Sequence, residues 1–264
     1  MIVFLFAIGS ILAADVVPRP RAHAHNDYEH PRPLIDALDQ GFCSVEADIW
    51  LSSDGRSLLV AHTPFGIKPE RTLQKLYLEP LKERIARNRG RVHPNGPDFH
   101  LMIDIKTNAK ATTAKLLEVL ADFVDILTST TGEKTTRGAV TIVLSGNCDR
   151  ATIREAKVRL AGIDGRPSDL ESDEPTSLVP WISADWKSQF QWNGTGAMPA
   201  NERAKLKEHV AAAHKRGRKV RFWAAPDHPA AWKELVDADV DLINTDKLAE
   251  LRRFLGSLDH SPRK

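Results

Sequence analysis

Three short stretches of the chain hold side chains whose types and spacing suit polar catalysis. The first, AHAHNDYEHPRP at 22–33, gathers His23, His25 and His30 within eight positions, beside Asn26 and Asp27. A polar loop collects such residues by chance, whereas a strand end presents them as catalytic groups. The second, CSVEADIW at 43–50, carries Glu46 and Asp48, and the third, FHLMIDIK at 99–106, carries Asp104 and Lys106. Side chains alternate across a strand, so His23 and His25 share a face, as do Glu46 and Asp48, and Asp104 and Lys106. Two acids at i and i+2 in an otherwise apolar strand are costly if that face is dry, so the site needs a cation, a lysine or water. A solvated outer face is the alternative, and a covering of helices argues against it. Three clustered carboxylates repel one another. A hard divalent cation relieves that repulsion and keeps positions open for water or phosphate oxygens, so Mg2+ or Ca2+ fits best. Zn2+, which imidazole suits, is the less favoured choice.

Positioning these groups falls to an alternation of apolar runs and helical patterns. Strands are expected at 21–25, 43–50, 57–62, 99–106, 139–145, 178–183, 219–224 and 240–245, with helical periodicity at 112–127, 202–215, 229–238 and 247–258. Eight alternations of this kind predict an α/β fold of the (β/α)8 TIM-barrel type, with an open many-stranded sheet as the other arrangement. Only LSSDGRS separates the second strand from the third, too little for a parallel crossover, so these two must form a β-hairpin. A turn centred at Asp54-Gly55 makes paired positions sum to about 109. That register sets Asp48 opposite position 61 and carries His62 back to the height of the carboxylates.

The 264 residues suffice for one barrel domain over 20–258, and 37 basic against 35 acidic side chains give a net charge of +2. Such a balance excludes a strong global field for nucleic acid or an anionic membrane. The basic run HKRGRKVR at 214–221 reads as a solvated helix end, and the acidic, proline-containing stretch at 164–177 as a surface loop. Residues 1–14, an apolar run closed by Ala13-Ala14, predict a signal peptide and an exported protein, although no Lys or Arg precedes the run. The run is too short to span a bilayer. Cys43 and Cys148 fall at opposite ends of the predicted barrel, which argues against a disulfide.

Taken together, HN at 25–26, EAD at 46–48, LLVAH ending at His62 and IDIK at 103–106 resemble the site of the phospholipase C-like phosphodiesterase superfamily. That group contains glycerophosphodiester phosphodiesterases, phosphatidylinositol-specific phospholipase C and the spider-venom sphingomyelinase D enzymes. The order and spacing carry the resemblance: 21 residues from His25 to Glu46, 14 from Asp48 to His62 and 56 from Asp48 to Asp104. VRFWA and VDLINTDKLAEL extend it to the last two strands. Two departures stand out: His-Asn-Asp replaces the His-Arg-Gly of many glycerophosphodiesterases, and Asp104 stands where those enzymes tend to have Glu.

The resemblance implies a phosphodiester hydrolase or lyase. Glu46, Asp48, Asp104 and Asn26 would be its metal ligands, His25 its base, His62 its acid and Lys106 a stabiliser of phosphate charge. A neighbouring substrate hydroxyl as nucleophile would give a cyclic phosphate. The expected partner is a small-molecule or lipid phosphodiester, with no nucleic acid and no transmembrane segment, and with a peripheral membrane contact left open. Arg221 and Trp223 share a face and are candidates to hold a headgroup; core packing of Trp223 and an outer salt bridge of Arg221 is the competing reading. Trp181, Trp186 and Trp192 could line a rim for a lipid or aryl group, or simply pack a loop. A catalytically silent barrel that binds a phosphorylated ligand and a phosphomonoesterase are the functional alternatives.

Overall fold

The computed structural model describes residues 16–259, so the candidate signal segment 1–14 lies outside the described residues. Twelve strands follow in chain order among them: β1 (Arg19–Ala24), β2 (Phe42–Leu51), β3 (Leu58–Val60), β4 (Phe99–Ile105), β5 (Ser129–Thr131), β6 (Lys134–Thr136), β7 (Val140–Gly146), β8 (Val158–Arg159), β9 (Ala161–Gly165), β10 (Trp181–Asp185), β11 (Lys219–Trp223) and β12 (Leu242–Thr245). Eight of them are parallel and closed into a TIM-type barrel. Pairing runs β1, β12, β11, β10, β9, β7, β4, β2 and returns from β2 to β1.

The eight barrel strands differ from the expected eight in one member. The run at 57–62 forms β3, which pairs antiparallel with β2 and lies outside the barrel. Its place is taken by β9, whose sequence AGIDG falls where the acidic loop was expected to begin. The hairpin register is as expected, with Ile49 opposite Val60, Trp50 opposite Leu59 and Leu51 opposite Leu58. Beneath the barrel, β5, β6 and β8 form a separate three-stranded antiparallel sheet.

Alternation along each strand builds two different environments. Outward residues such as Val45, Ala47 and Ile49 of β2 and Leu101, Ile103 and Ile105 of β4 are buried in the main apolar core. Each large aliphatic side chain there contributes about 1.5–3 kcal/mol. Inside the barrel, Met102, Val143, Trp181 and Leu242 form a separate apolar cluster. The helices Ala109–Ala121, Ala200–Lys215, Pro229–Asp237 and Leu248–Asp259 fall close to the periodic segments of the sequence. None of the described helices is long and apolar enough to cross a membrane.

The basic run and the acidic loop prove to be partners. Arg218 is 1% exposed and its guanidinium donates to the carbonyls of Asp169, Ser172 and Glu174, while Arg216 pairs with Asp173 at 2.6 Å. Cys43 is buried at the start of β2 and Cys148 follows β7; both are free thiols.

Candidate active site

Parallel pairing fixes the heights of the acids at the carboxyl ends of the strands. Asp48 stands level with Asp104, and Asp104 with Ser145. Carboxylate oxygens of Glu46, Asp48 and Asp104 all lie within 4.8 Å of one another. The ammonium of Lys106, one residue beyond β4, donates to Asp48 Oδ2 and Asp104 Oδ1, each at 3.0 Å. Room for Asp104 depends on Gly146. Its φ of +64° suits glycine, and a Cβ there would collide with Asp104 Oδ1 and with the carbonyl of Ile105.

The two imidazoles arrive from different elements. His25 follows β1, with its backbone N–H on the carbonyl of Thr245 at 3.0 Å and its Nδ1 2.8 Å from Asp246 Oδ1. Donation from Nδ1 to that carboxylate leaves Nε2 with a free lone pair. The chain then turns through Asn26, whose left-handed conformation (φ +46°) is one that asparagine tolerates. His62 is delivered by the hairpin. The backbone N–H of Ala61 donates to the carbonyl of Asp48 at 3.3 Å, and the Trp50 indole donates to the carbonyl of Ala61 at 2.7 Å.

Tyr28 ties these groups together, a role that its place beyond the end of β1 does not reveal in the sequence. Its hydroxyl lies 2.6 Å from Asp48 Oδ2, 2.7 Å from Asn26 Oδ1 and 3.0 Å from His62 Nδ1. One phenolic proton serves one acceptor, so the hydroxyl donates to an oxygen and accepts from the Nδ1–H of His62. Asn26 Nδ2 lies 3.0 Å from His25 Nδ1, but the Nδ1 proton goes to Asp246, so this pair is a contact of two nitrogens and not a hydrogen bond. The network centred on Tyr28 therefore joins Asn26, Asp48 and His62, with His25 beside it. Asp27 orders the loop beneath, accepting from the backbone N–H of Leu34 at 2.5 Å and from the Tyr77 hydroxyl at 2.9 Å.

Charge is unevenly compensated across this cluster. Burial would raise the Glu46 carboxyl, but the Arg221 guanidinium and His23 outweigh it and hold Glu46 down at about 2. Burial pushes Asp48 up to about 6, against the hydrogen bond from Tyr28 and with the help of repulsion from Glu46. Asp104 is also raised, by burial, in spite of Lys106. For His25, burial lowers the pKa, while the hydrogen bond to Asp246 and the negative charges of Glu46 and Asp246 together more than reverse it.

A supporting polar layer lies below. Arg221 is only 3% exposed; its Nε donates to Asn244 Oδ1 at 3.0 Å and its guanidinium lies 3.5 Å from Glu46 Oε2 and 3.9 Å from Asp164 Oδ2. Arg221 therefore sits inside the barrel rather than in an outer salt bridge. Trp223, two residues further on, is 40% exposed at the rim. Asp164 accepts from Ser183 at 2.5 Å, Arg166 at 2.8 Å and Ser145 at 2.9 Å. His23 is fully buried, with Nδ1 2.7 Å from Ser44 Oγ and Nε2 3.6 Å from Glu46. Of the two readings of the tryptophans, packing holds: Trp181 lies inside the barrel, and Trp186 and Trp192 belong to a buried aromatic group with Phe190 and Phe222.

The chain is 29% identical to altered inheritance of mitochondria protein 6 of Eremothecium gossypii, over 92% of this chain and 71% of that protein. It is 27% identical to the homologous protein of Arthroderma benhamiae, over 88% of this chain and 82% of the relative. Among solved structures, glycerophosphodiester phosphodiesterases share the fold. The Parabacteroides distasonis enzyme has a TM-score of 0.55 at 13% identity, covering 91% of this chain and 98% of that one. The Agrobacterium tumefaciens enzyme has a TM-score of 0.50 at 15% identity, covering 90% and 100%. Residues 219–249 match the glycerophosphoryl diester phosphodiesterase family, and residues 10–160, more than half of the chain, match the AIM6-like phosphodiesterase domain. The protein belongs to the AIM6-like phosphodiesterase domain family.

Proposed function

We propose that the protein is a divalent-metal-dependent phosphodiesterase that cleaves a P–O bond of a glycerophosphodiester or phospholipid. The observation that carries this reading is the convergence of a carboxylate triad and two imidazoles at the barrel mouth. Glycerophosphodiester phosphodiesterases among its structural neighbours support the substrate class.

The donor set fits a hard cation. Glu46 Oε2 and Asp48 Oδ1 are buried without any hydrogen-bond partner, and the surrounding donors are oxygens. Glu46, Asp48, Asp104 and the Asn26 carbonyl would hold Mg2+ or Ca2+, which supplies positive charge to a phosphate oxygen when bound. Lys106, between two of those acids, adds fixed positive charge where the phosphoryl group gains negative charge.

His25 Nε2 takes the proton of the attacking hydroxyl, with the imidazolium held by Asp246. His62, fixed through Nδ1 by Tyr28, gives the proton of its Nε2 to the departing oxygen. Each transfer contributes about 10²- to 10⁴-fold. Attack by a neighbouring substrate hydroxyl yields a cyclic phosphate, and attack by water the open product. Trp223 offers an aromatic surface to the headgroup, and Arg221 keeps Glu46 ionised from beneath. We extend the proposal to export, on the apolar run of residues 1–14.

Hydrolysis of bis-p-nitrophenyl phosphate with and without EDTA, beside a lipid and glycerophosphodiester screen, tests this reading. Chelator-sensitive diester cleavage is expected. Preference for p-nitrophenyl phosphate would favour a monoesterase, and no turnover of any diester would favour a binding protein. His25→Ala and His62→Ala should each leave the fold intact and abolish turnover of a glycerophosphodiester; a tenth of wild-type activity in either contradicts the assignment.

A further inference from the structure

The opposite end of the barrel holds a second cavity of about 460 Å³. It opens where β4, β7, β9 and β11 begin, and it is bordered by residues of β5, β6 and β8. Its charge is unbalanced. Arg137, Arg159 and Lys219 line it against one acid, Asp98, which lies 3.9 Å from the exposed Arg137. Arg159 donates from Nη2 to Ser177 Oγ at 3.1 Å, but its Nε is buried with no hydrogen-bond partner. Neither Arg159 nor Lys219 pairs with a carboxylate among the described residues. Burial lowers the Lys219 pKa, with Asp241, Cys43 and Asp98 opposing only in part. Burial, with the Lys219 charge, likewise holds His100 down at about 3, so its imidazole is neutral at the wall. Five threonines and Ser177 add hydroxyls to the lining.

An excess of cations over acids and a dense set of hydroxyls match the needs of a phosphate group, which offers several acceptors and two charges. We propose that this lower mouth is a second ligand site, taking a small anion by its phosphate group, with Arg159 and Lys219 supplying the charge and the hydroxyls completing the hydrogen bonds. The inference uses no residue of the upper site and stands whether or not the phosphodiesterase reading does.

The test is a titration of the 15N-labelled full chain in EDTA with inorganic phosphate and, separately, glycerol 3-phosphate. Saturable amide shifts are expected at Thr130, Thr141 and Gly162, unchanged in Asp48→Asn. Arg159→Gln should weaken the affinity about tenfold or more. Lys219→Met provides a second variant, with far-ultraviolet circular dichroism and melting curves confirming that each is folded. Equal affinity for the two probes would assign the site to free phosphate, and tighter binding of the ester to a phosphate monoester. Shifts confined to the upper mouth around Gly66 and Asn147, shifts that never saturate, or wild-type affinity in both folded variants would overturn the proposal.

Discussion

Replacing Tyr28 with phenylalanine removes one oxygen from the centre of the site and leaves a buried ring in place. That oxygen touches Asp48 Oδ2 at 2.6 Å, Asn26 Oδ1 at 2.7 Å and His62 Nδ1 at 3.0 Å. Three consequences follow from the one deletion. A buried carboxylate loses a hydrogen bond to an ionised group, so folding stability should fall by about 1.5–3 kcal/mol in urea denaturation. Two candidate metal ligands lose the partner that orients them, so calorimetric titration with Mg2+ or Ca2+ should show affinity weakened by about 10- to 100-fold. His62 loses the contact that sets its tautomer, so proton delivery to the leaving group suffers. The last effect has its own signature: p-nitrophenolate departs with little need of a proton, whereas an alkoxide does not. Tyr28→Phe should therefore lower kcat more on an alkyl glycerophosphodiester than on bis-p-nitrophenyl phosphate. A variant with equal losses on both substrates would refute the coupling to His62, and one with unchanged cation affinity would refute the coupling to the acids.

Other positions give narrower outcomes. Gly146→Ala forces a Cβ against Asp104 at a positive φ, and it should cost about 1–3 kcal/mol of stability while weakening cation affinity. Trp50→Phe removes the indole that holds the carbonyl before His62; kcat should fall on alkyl diesters while cation affinity stays at the wild-type value. His93 is buried, its Nε2 on the carbonyl of Phe42 at 2.9 Å and its Nδ1 unpartnered, and burial lowers its pKa. The unfolded state then binds the extra proton as pH drops through the ordinary histidine range, so stability falls on acidification there. Urea denaturation from neutral to mildly acidic pH should show a shallower fall in His93→Gln than in wild type.

What the sequence made legible depended on alternation and length. The long runs of β2 and β4 alternate cleanly, so Glu46, Asp48 and Asp104 could be placed on one inward face before any coordinates, and the short Asp-Gly hairpin dictated where His62 would land. By contrast, β9 has five residues, two of them glycine, and no run of branched side chains. It carries no strand signal, and Asp164 reads as the first residue of the acidic surface loop at 164–177. The apolar run of β3 gave a strand signal but carried no information on whether it joined the barrel. Tyr28 and Asp246 lie just beyond strand ends, where no periodicity governs direction; only the fold brings Asp246 onto His25. The separation of Arg221 from Trp223 is likewise one of depth: two residues on one face, with one below the acids and one above. Trp186 and Trp192 turned inward because the short helix Trp186–Gln189 packs them against Phe190 and Phe222.

The central claim is that three acids from two strands form one divalent-cation site. Isothermal titration of chelator-stripped protein with Mg2+ and Ca2+, in wild type and Asp48→Asn, measures it directly. One saturable site in wild type, lost or weakened about 100-fold in the variant, is the expected result. A wild-type chain that binds neither cation, or an Asp48→Asn chain that binds as tightly as wild type, would contradict it.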